Sequence, residues 1–454
     1  MMMMNQFHTV YFIGIGGIGM SALARYFSAM GKKVLGYDKT STVLTKSLES
    51  EGIEVHYEDW GSEVLNKVDK ESTLVIYTPA VHKKFGELLA VQEGGYEVVK
   101  RAKALGIISH EFTTYAVAGT HGKTTTTSIL AHVLSLSDEG CNAFIGGISS
   151  NFNSNCVINE NSKRVVLEAD EFDRSFLTLR PNYSIITSID ADHLDIYGDG
   201  SALEDSFNDF ATLTNPEGAL IIEHKSVSKI RTERRVITYG SDAGEYQLKN
   251  YHFKEGKVYF DVVVGDAKYN ELEFGIPGRH NAENATGVFA LCMQIGVPLE
   301  IVREGFKTYK GVKRRFEYHI RTENQVMIDD YAHHPTEIAA FLSAVKELYP
   351  DKKITAAFQP HLFSRTQDFM DDFAESLSMV DELYLLPIYP ARELPIPGVT
   401  SEVLLDKIGL ENKHMSSKAT LAADMKAVNP ELCLILGAGD IDTCVIPVKE
   451  ALES

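Results

Sequence analysis

VAGTHGKTTTTS (Val117–Ser128) lies between the apolar run YAVA and the run ILAHVLSL. A β-rich stretch, a glycine loop and a stretch of helical spacing follow one another here, which predicts strand, loop, helix. A helix that opens on such a loop turns its first N–H groups and the positive end of its dipole toward the loop, and both favour an anion. Gly119, Thr120, His121, Gly122, Lys123, Thr124 and Thr125 are therefore read as a loop that wraps the phosphates of ATP. Lys123 reaches the β and γ oxygens, and the Thr124 hydroxyl serves as a Mg²⁺ ligand. One departure stands out: the strict eight-residue P-loop pattern has glycine where this chain has Val117.

The same strand–turn–helix pattern occurs twice more. TVYFIGI, SALARYFSAMGKK and KVLGYD place Gly14, Gly16 and Gly19, together with Gly17 and Ile18, in a G-x-G-x-x-G turn, and Asp38 ends the next strand. That context suits a nucleotide diphosphate at the helix start, with the acid accepting from a ribose hydroxyl; NAD and other nucleotide diphosphates fit equally. From QVMIDDYAHHPTEIAAFLSAV onward the pattern starts again, with Pro335 suited to a first helical turn. Between these blocks, residues 246–275 read as an antiparallel excursion. The chain is thus expected to be α/β with three domains, at 1–111, 112–317 and 318–454, in line with a length of 454 residues.

The net charge of −19 argues against nucleic acid or an anionic membrane as partner. No apolar run approaches the ~18 residues of a membrane span. Five scattered cysteines without CxxC spacing point to neither a disulfide framework nor a zinc site, and fit a reduced cytoplasm.

Further candidates end strands or open helices. Glu168 in LEADEFD either holds Mg²⁺ or is a solvated strand end. His193 in ADHLD is a lone histidine, structural or metal-bound. His280, Asn281 and Asn284 in GRHNAENA grip adenine or phosphate, or cap the helix. Arg314 and Arg315 in GVKRRFE neutralise phosphoryl-transfer charge or are surface charge. His333 and His334 in DDYAHHP, with His361 and Arg365 in FQPHLFSRT, follow strands at the end where α/β folds bind ligands.

Taken in order, GIGGIGMSALA, GTHGKTTTT, EADEFD, DHLD, GRHNAENA, RRFE, DYAHHPTE and FQPHLFSRT closely resemble the Mur ligases of peptidoglycan synthesis. The resemblance implies a Rossmann-like N-terminal domain for a UDP-sugar, a P-loop ATPase-like central domain and a Rossmann-like C-terminal domain for the amino acid. The first loop would then hold UDP and the second ATP. Implied activity is ATP-dependent joining of L-alanine to the lactyl carboxylate of UDP-N-acetylmuramate through an acyl phosphate, in cell-wall synthesis. Lys123, His193 and Arg315 are implied catalytic residues. Thr124, Glu168 and His193 are implied metal ligands, Asn281, Asn284 and Asp330 belong to the ATP side, and His361 and Arg365 to the amino-acid side. GYD at 36–38 and YTPAV at 77–81 depart from the family's usual GSD and SSAI, so the UDP contacts are the least determined. The chain is expected to act as a monomer or homodimer.

Overall fold

The computed structural model describes residues 6–190, 200–391 and 393–454. Three sheets carry the described chain. The first joins β1 (Thr9–Ile13), β2 (Lys33–Tyr37), β3 (Glu54–His56), β4 (Thr73–Tyr77) and β5 (Glu97–Lys100) in the order 3-2-1-4-5, all parallel. Such strands are covered on both faces, so they read as nearly unbroken apolar runs such as TVYFI. Val10 and Phe12 accordingly enter one apolar cluster, and Tyr11 and Ile13 another. The order reverses between β1 and β4, and the glycine turn leaves β1 at that reversal, where α/β sheets open a crevice.

The second sheet contains β6 (Thr113–Ala118), β7 (Asn142–Ser149), β8 (Ser154–Val157), β9 (Arg164–Glu168), β10 (Tyr183–Ile186), β11 (Ala219–Glu223), β12 (Val236–Gly240), β13 (Tyr246–Lys254), β14 (Lys257–Val264) and β15 (Ala267–Phe274). Its order is 15-14-13-12-11-10-6-9-7-8. β6 lies between β10 and β9, parallel to both, so the VAGTHGKT loop leaves a strand inside the sheet. The helix Lys123–Ser135 that follows is buried from Thr124 to Leu134.

The third sheet is made of β16 (Glu317–Arg321), β17 (Val326–Asp330), β18 (Ile354–Phe358), β19 (Glu382–Leu385), β20 (Lys413–Met415) and β21 (Leu432–Leu436), in the order 16-17-21-18-19-20. β16 is an antiparallel edge, and β21 returns from the end of the chain to lie between β17 and β18. Asp330 and Phe358 both pair with Leu436, so the loops after these three strands emerge side by side.

By internal packing the chain forms two compact units. One comprises residues up to 250 with 259–273 and 283–310; the other comprises 251–258, 274–282 and 311–454. Among the described residues no helix is long and apolar enough to cross a membrane.

Candidate active site

In the first unit the P-loop is held from beneath by the segment following β10. Thr120 N–H donates to the Ser188 carbonyl (3.1 Å), His121 N–H donates to Ser188 Oγ (2.9 Å), and Asp190 N–H donates to Thr120 Oγ1 (3.0 Å). Thr187 Oγ1 donates to the His121 carbonyl, and the His121 ring lies 3.8 Å from Asp190. Gly122 caps the helix at φ +80°, a left-handed conformation that suits glycine, and a Cβ there would stand 2.9 Å from Asn284 Oδ1. Asn284 is thereby packed against the phosphate loop. The first-turn N–H groups, at Lys123, Thr124 and Thr125, lack intrahelical acceptors by geometry and face the loop.

Lys123 Nζ donates to the carbonyl of Gly119 (2.6 Å) and to Glu171 Oε1 (2.7 Å), a carboxylate with no exposed surface. Burial works against its ammonium, but Glu171, Asp170 and Glu168 outweigh it and raise its pKa above the ordinary lysine value. The loop thus holds Lys123 as an ammonium paired with a buried carboxylate.

Glu168 ends β9 next to β6, one strand from the P-loop. Thr124 Oγ1 donates to its Oε1 (3.0 Å), and Gly146 N–H on β7 donates to its Oε2 (2.8 Å). A Cβ on Gly146 would lie 2.2 Å from Oε1, so only glycine lets the carboxylate settle there. Two hard oxygen donors, a hydroxyl and a pinned carboxylate, converge beside the phosphate loop, a donor set that fits Mg²⁺. His193 lies outside the described residues.

The first glycine turn is built by its own acid. Gly14 N–H donates to the Tyr37 carbonyl (2.8 Å), and Gly16 N–H donates to Asp38 Oδ2 (2.7 Å). Gly17 caps the helix Ile18–Ala29 without a side-chain cap, which leaves Ile18 and Gly19 at an open helix start. Asp38 therefore has a structural task, holding the turn, alongside any contact to a ribose. A cavity of ≈150 Å³ lies between the start of the helix Ile18–Ala29 and the end of β9, lined among others by Gly19, Arg101, Phe144, Gly146, Glu168 and Asp170.

In the second unit Asp330, His333, His334, His361 and Arg365 stand at or after the ends of β17 and β18, Arg315 precedes β16, and His280 and Asn281 open the helix that begins at Arg279. Asp330 accepts from Phe316 N–H (2.7 Å) and Ala332 N–H (2.8 Å); burial pushes its carboxyl up to about 6 against the pull of those bonds and of Arg315. The Arg315 guanidinium lies over the Tyr331 ring at 5.5 Å. Burial holds His280 down to about 4, with Glu337 raising and Arg315 lowering it, so it is a neutral imidazole at pH 7. Asn281 Nδ2 donates to the Pro277 carbonyl (2.7 Å), a local capping bond.

His333 pairs with Glu337 (3.2 Å), and its ring centre lies 6.0 Å from that of His361, which stacks on Tyr389. His361 is held down to about 4 by burial, with His333 and Arg365 adding to it. Arg365 is buried on the helix Phe363–Asp368. His334 is different: its Nδ1 accepts from Thr336 N–H and caps the helix Pro335–Leu348. Glu171, Gly146 and Arg101 were not singled out by the sequence reading. Glu171 sits inside the quoted EADEFD, and Gly146 in a Gly-Gly pair within a strand, a signal of close backbone approach.

Comparison with known proteins gives one family along the chain. Residues 9–113 match the Mur ligase family catalytic domain, 117–292 the Mur ligase middle domain, and 314–441 the Mur ligase glutamate ligase domain. The UDP-N-acetylmuramate–L-alanine ligase of Flavobacterium psychrophilum is 49% identical over 100% of both chains. That of Christiangramia forsetii is 48% identical over 99% of this chain and 98% of its own. The crystal structure of UDP-N-acetylmuramate–alanine ligase from Thermotoga maritima superposes with a TM-score of 0.83 at 29% identity, covering 98% of this chain and 99% of that one. Full-length identity of this order, over three consecutive domain matches, places the chain in the Mur ligase family.

Proposed function

We propose that this protein joins L-alanine to the lactyl carboxylate of UDP-N-acetylmuramate at the expense of ATP, in peptidoglycan precursor synthesis. Full-length relatives of that name, at 48% and 49% identity, support the substrates. The single observation that carries the chemistry is the cavity linking the first glycine turn to Glu168, beside the charged Lys123. An acid held there would stand beside Glu168, which accepts from Thr124 Oγ1 of the second loop.

Carboxylate and amine do not condense unaided at neutral pH. The lactyl carboxylate oxygen attacks the γ-phosphorus, the bond to the β-phosphate oxygen breaks, and ADP leaves. The neutral amine of L-alanine then attacks the acyl carbon, and phosphate departs carrying the carboxylate oxygen. Lys123 and the first-turn N–H groups hold the phosphates and offset the charge that grows on them. Glu171 keeps Lys123 charged and in place between turnovers. Thr124 and Glu168, with His193, would hold Mg²⁺, which when bound supplies charge neutralisation on the phosphate oxygens. Asn284 packs on the loop and steadies it, and Arg315, Asp330, His280 and Asn281 form the nucleotide side of the second unit. His333, His361 and Arg365 receive the amino acid, and a planar guanidinium suits its α-carboxylate.

We assign residues 1–111 to the UDP-sugar, 112–317 to ATP and 318–454 to the amino acid. The five cysteines are free and buried, as a reducing cytoplasm allows. The test is a ligation assay with ATP, Mg²⁺ and UDP-N-acetylmuramate in which single amines are offered in turn. L-alanine-dependent release of ADP with formation of the amide supports the reading. A preference for an intact tripeptide would make this a recycling ligase instead.

A further inference from the structure

Arg101 opens the helix Arg101–Ser109, and no part of the reaction derived above uses it. Its guanidinium leans over the first glycine turn: a Cβ on Gly19 would stand 2.5 Å from Nη1. On its other side Nη2 lies 3.5 Å from Asp170 Oδ2. The side chain is one-quarter exposed and faces the ≈150 Å³ cavity that ends at Glu168. Among the described residues lining that cavity Arg101 is the only cation, while Glu168 and Asp170 bring two carboxylates.

This distribution raises a problem for the reaction. An anionic carboxylate has to approach Glu168 and a triphosphate, and like charges in a partly enclosed space repel strongly. The cavity is below the ~300 Å³ of a full ligand pocket, so it suits a carboxylate on a short stem, not a whole sugar nucleotide. A guanidinium beside its entrance offers two parallel N–H donors to such a group. Asp170, at a long 3.5 Å and one-third exposed, is a weak partner that an incoming carboxylate can replace.

We propose that Arg101 binds and aims the lactyl carboxylate of the acid substrate, exchanging Asp170 for it as the substrate enters. The proposal rests on the site reading above, in which the acid travels from the first loop toward Glu168. It makes Arg101 a specificity residue for the carboxylate end, separate from the groups that bind the UDP pyrophosphate.

The experiment uses the full chain with Arg101→Ala and Arg101→Lys. Expected is a KM for UDP-N-acetylmuramate raised at least tenfold in R101A and by less in R101K, while the Kd for ATP stays within twofold of wild type. UDP-N-acetylglucosamine, which carries the pyrophosphate but no lactyl group, should inhibit R101A and wild type equally. Overturning results are an unchanged KM for the acid, an equal loss of acid and ATP binding, or weakened inhibition by UDP-N-acetylglucosamine, which would put Arg101 on the pyrophosphate. If R101A does not fold, R101K and R101Q carry the same comparison, with thermal unfolding measured alongside. Failure of the underlying site reading shows separately, as full activity in Lys123→Ala or no L-alanine-dependent turnover in the wild type.

Discussion

At the scale of single residues, the proposed phosphate chemistry rests on a few side chains whose partners are internal. Lys123 is held by Glu171 and two carbonyls of its own loop. Replacing it by alanine removes the cation and leaves Glu171 buried beside the phosphates. Lys123→Ala should lower kcat at least ~100-fold, with circular dichroism unchanged; near wild-type turnover would remove the lysine from the mechanism. Gly146 gives a sharper test, because it lies on an exposed part of β7 and a methyl there meets Glu168, not the core. Gly146→Ala should fold normally yet lower kcat about tenfold or more and raise the Mg²⁺ concentration needed for half-maximal rate, since a displaced carboxylate spoils positioning. A magnesium titration of both proteins decides it.

At the scale of elements, β17 carries two adjacent acids whose environments differ from water. Burial pushes Asp329 up to about 7; Arg314, 3.5 Å away, pulls down, and Asp330, Glu317 and Asp442 push further up. The folded chain therefore keeps this proton between pH ~4 and ~7, where the unfolded chain has lost it. Stability contributed here is fullest below the unfolded value and falls as pH rises through the folded one. Wild type should lose ~1–3 kcal/mol more between pH 5 and 7.5 than Asp329→Asn, measured by urea unfolding across that range; parallel curves would contradict it. Much of this architecture was legible beforehand. TVYFI, YAVA, RVVLE and LCLIL are apolar runs bounded by turns, and each is a strand buried on both faces. β3 and β20 have three residues each and β5 has four, too short for any periodicity, and β7 is interrupted by Gly146 and Gly147. The site was legible where it is sequential, as in GTHGKT. It was not where it depends on strand order: Gly146 reaches Glu168 because β7 pairs with β9, and Arg101 reaches Gly19 by tertiary packing. Asp38 and His334 were read as ligand contacts, and the hydrogen bonds show what else they do: one holds a turn and the other caps a helix.

At the scale of the whole molecule, each of the three sheets ends in loops that carry candidate residues, and the proposed assignment gives one substrate to each. The proposed reading gives selection of the amine to the third sheet, where His361, His333 and the buried Arg365 stand. A pocket for a methyl group discriminates by only ~1–3 kcal/mol per methylene. Glycine and L-serine should therefore react with kcat/KM roughly 10–200-fold below L-alanine, and D-alanine should fail because carboxylate and amine cannot both be placed. Equal rates for both enantiomers would sink that assignment. The central claim is that ATP activates the sugar acid and that the acid's own oxygen leaves with the phosphate. Its most direct test supplies UDP-N-acetylmuramate with ¹⁸O at both oxygens of the lactyl carboxylate, together with ATP, Mg²⁺ and L-alanine, and reads the released phosphate by mass spectrometry. The account predicts one ¹⁸O in each phosphate, with one ADP and one amide formed per turnover; unlabelled phosphate, or ADP released without amide, would contradict it.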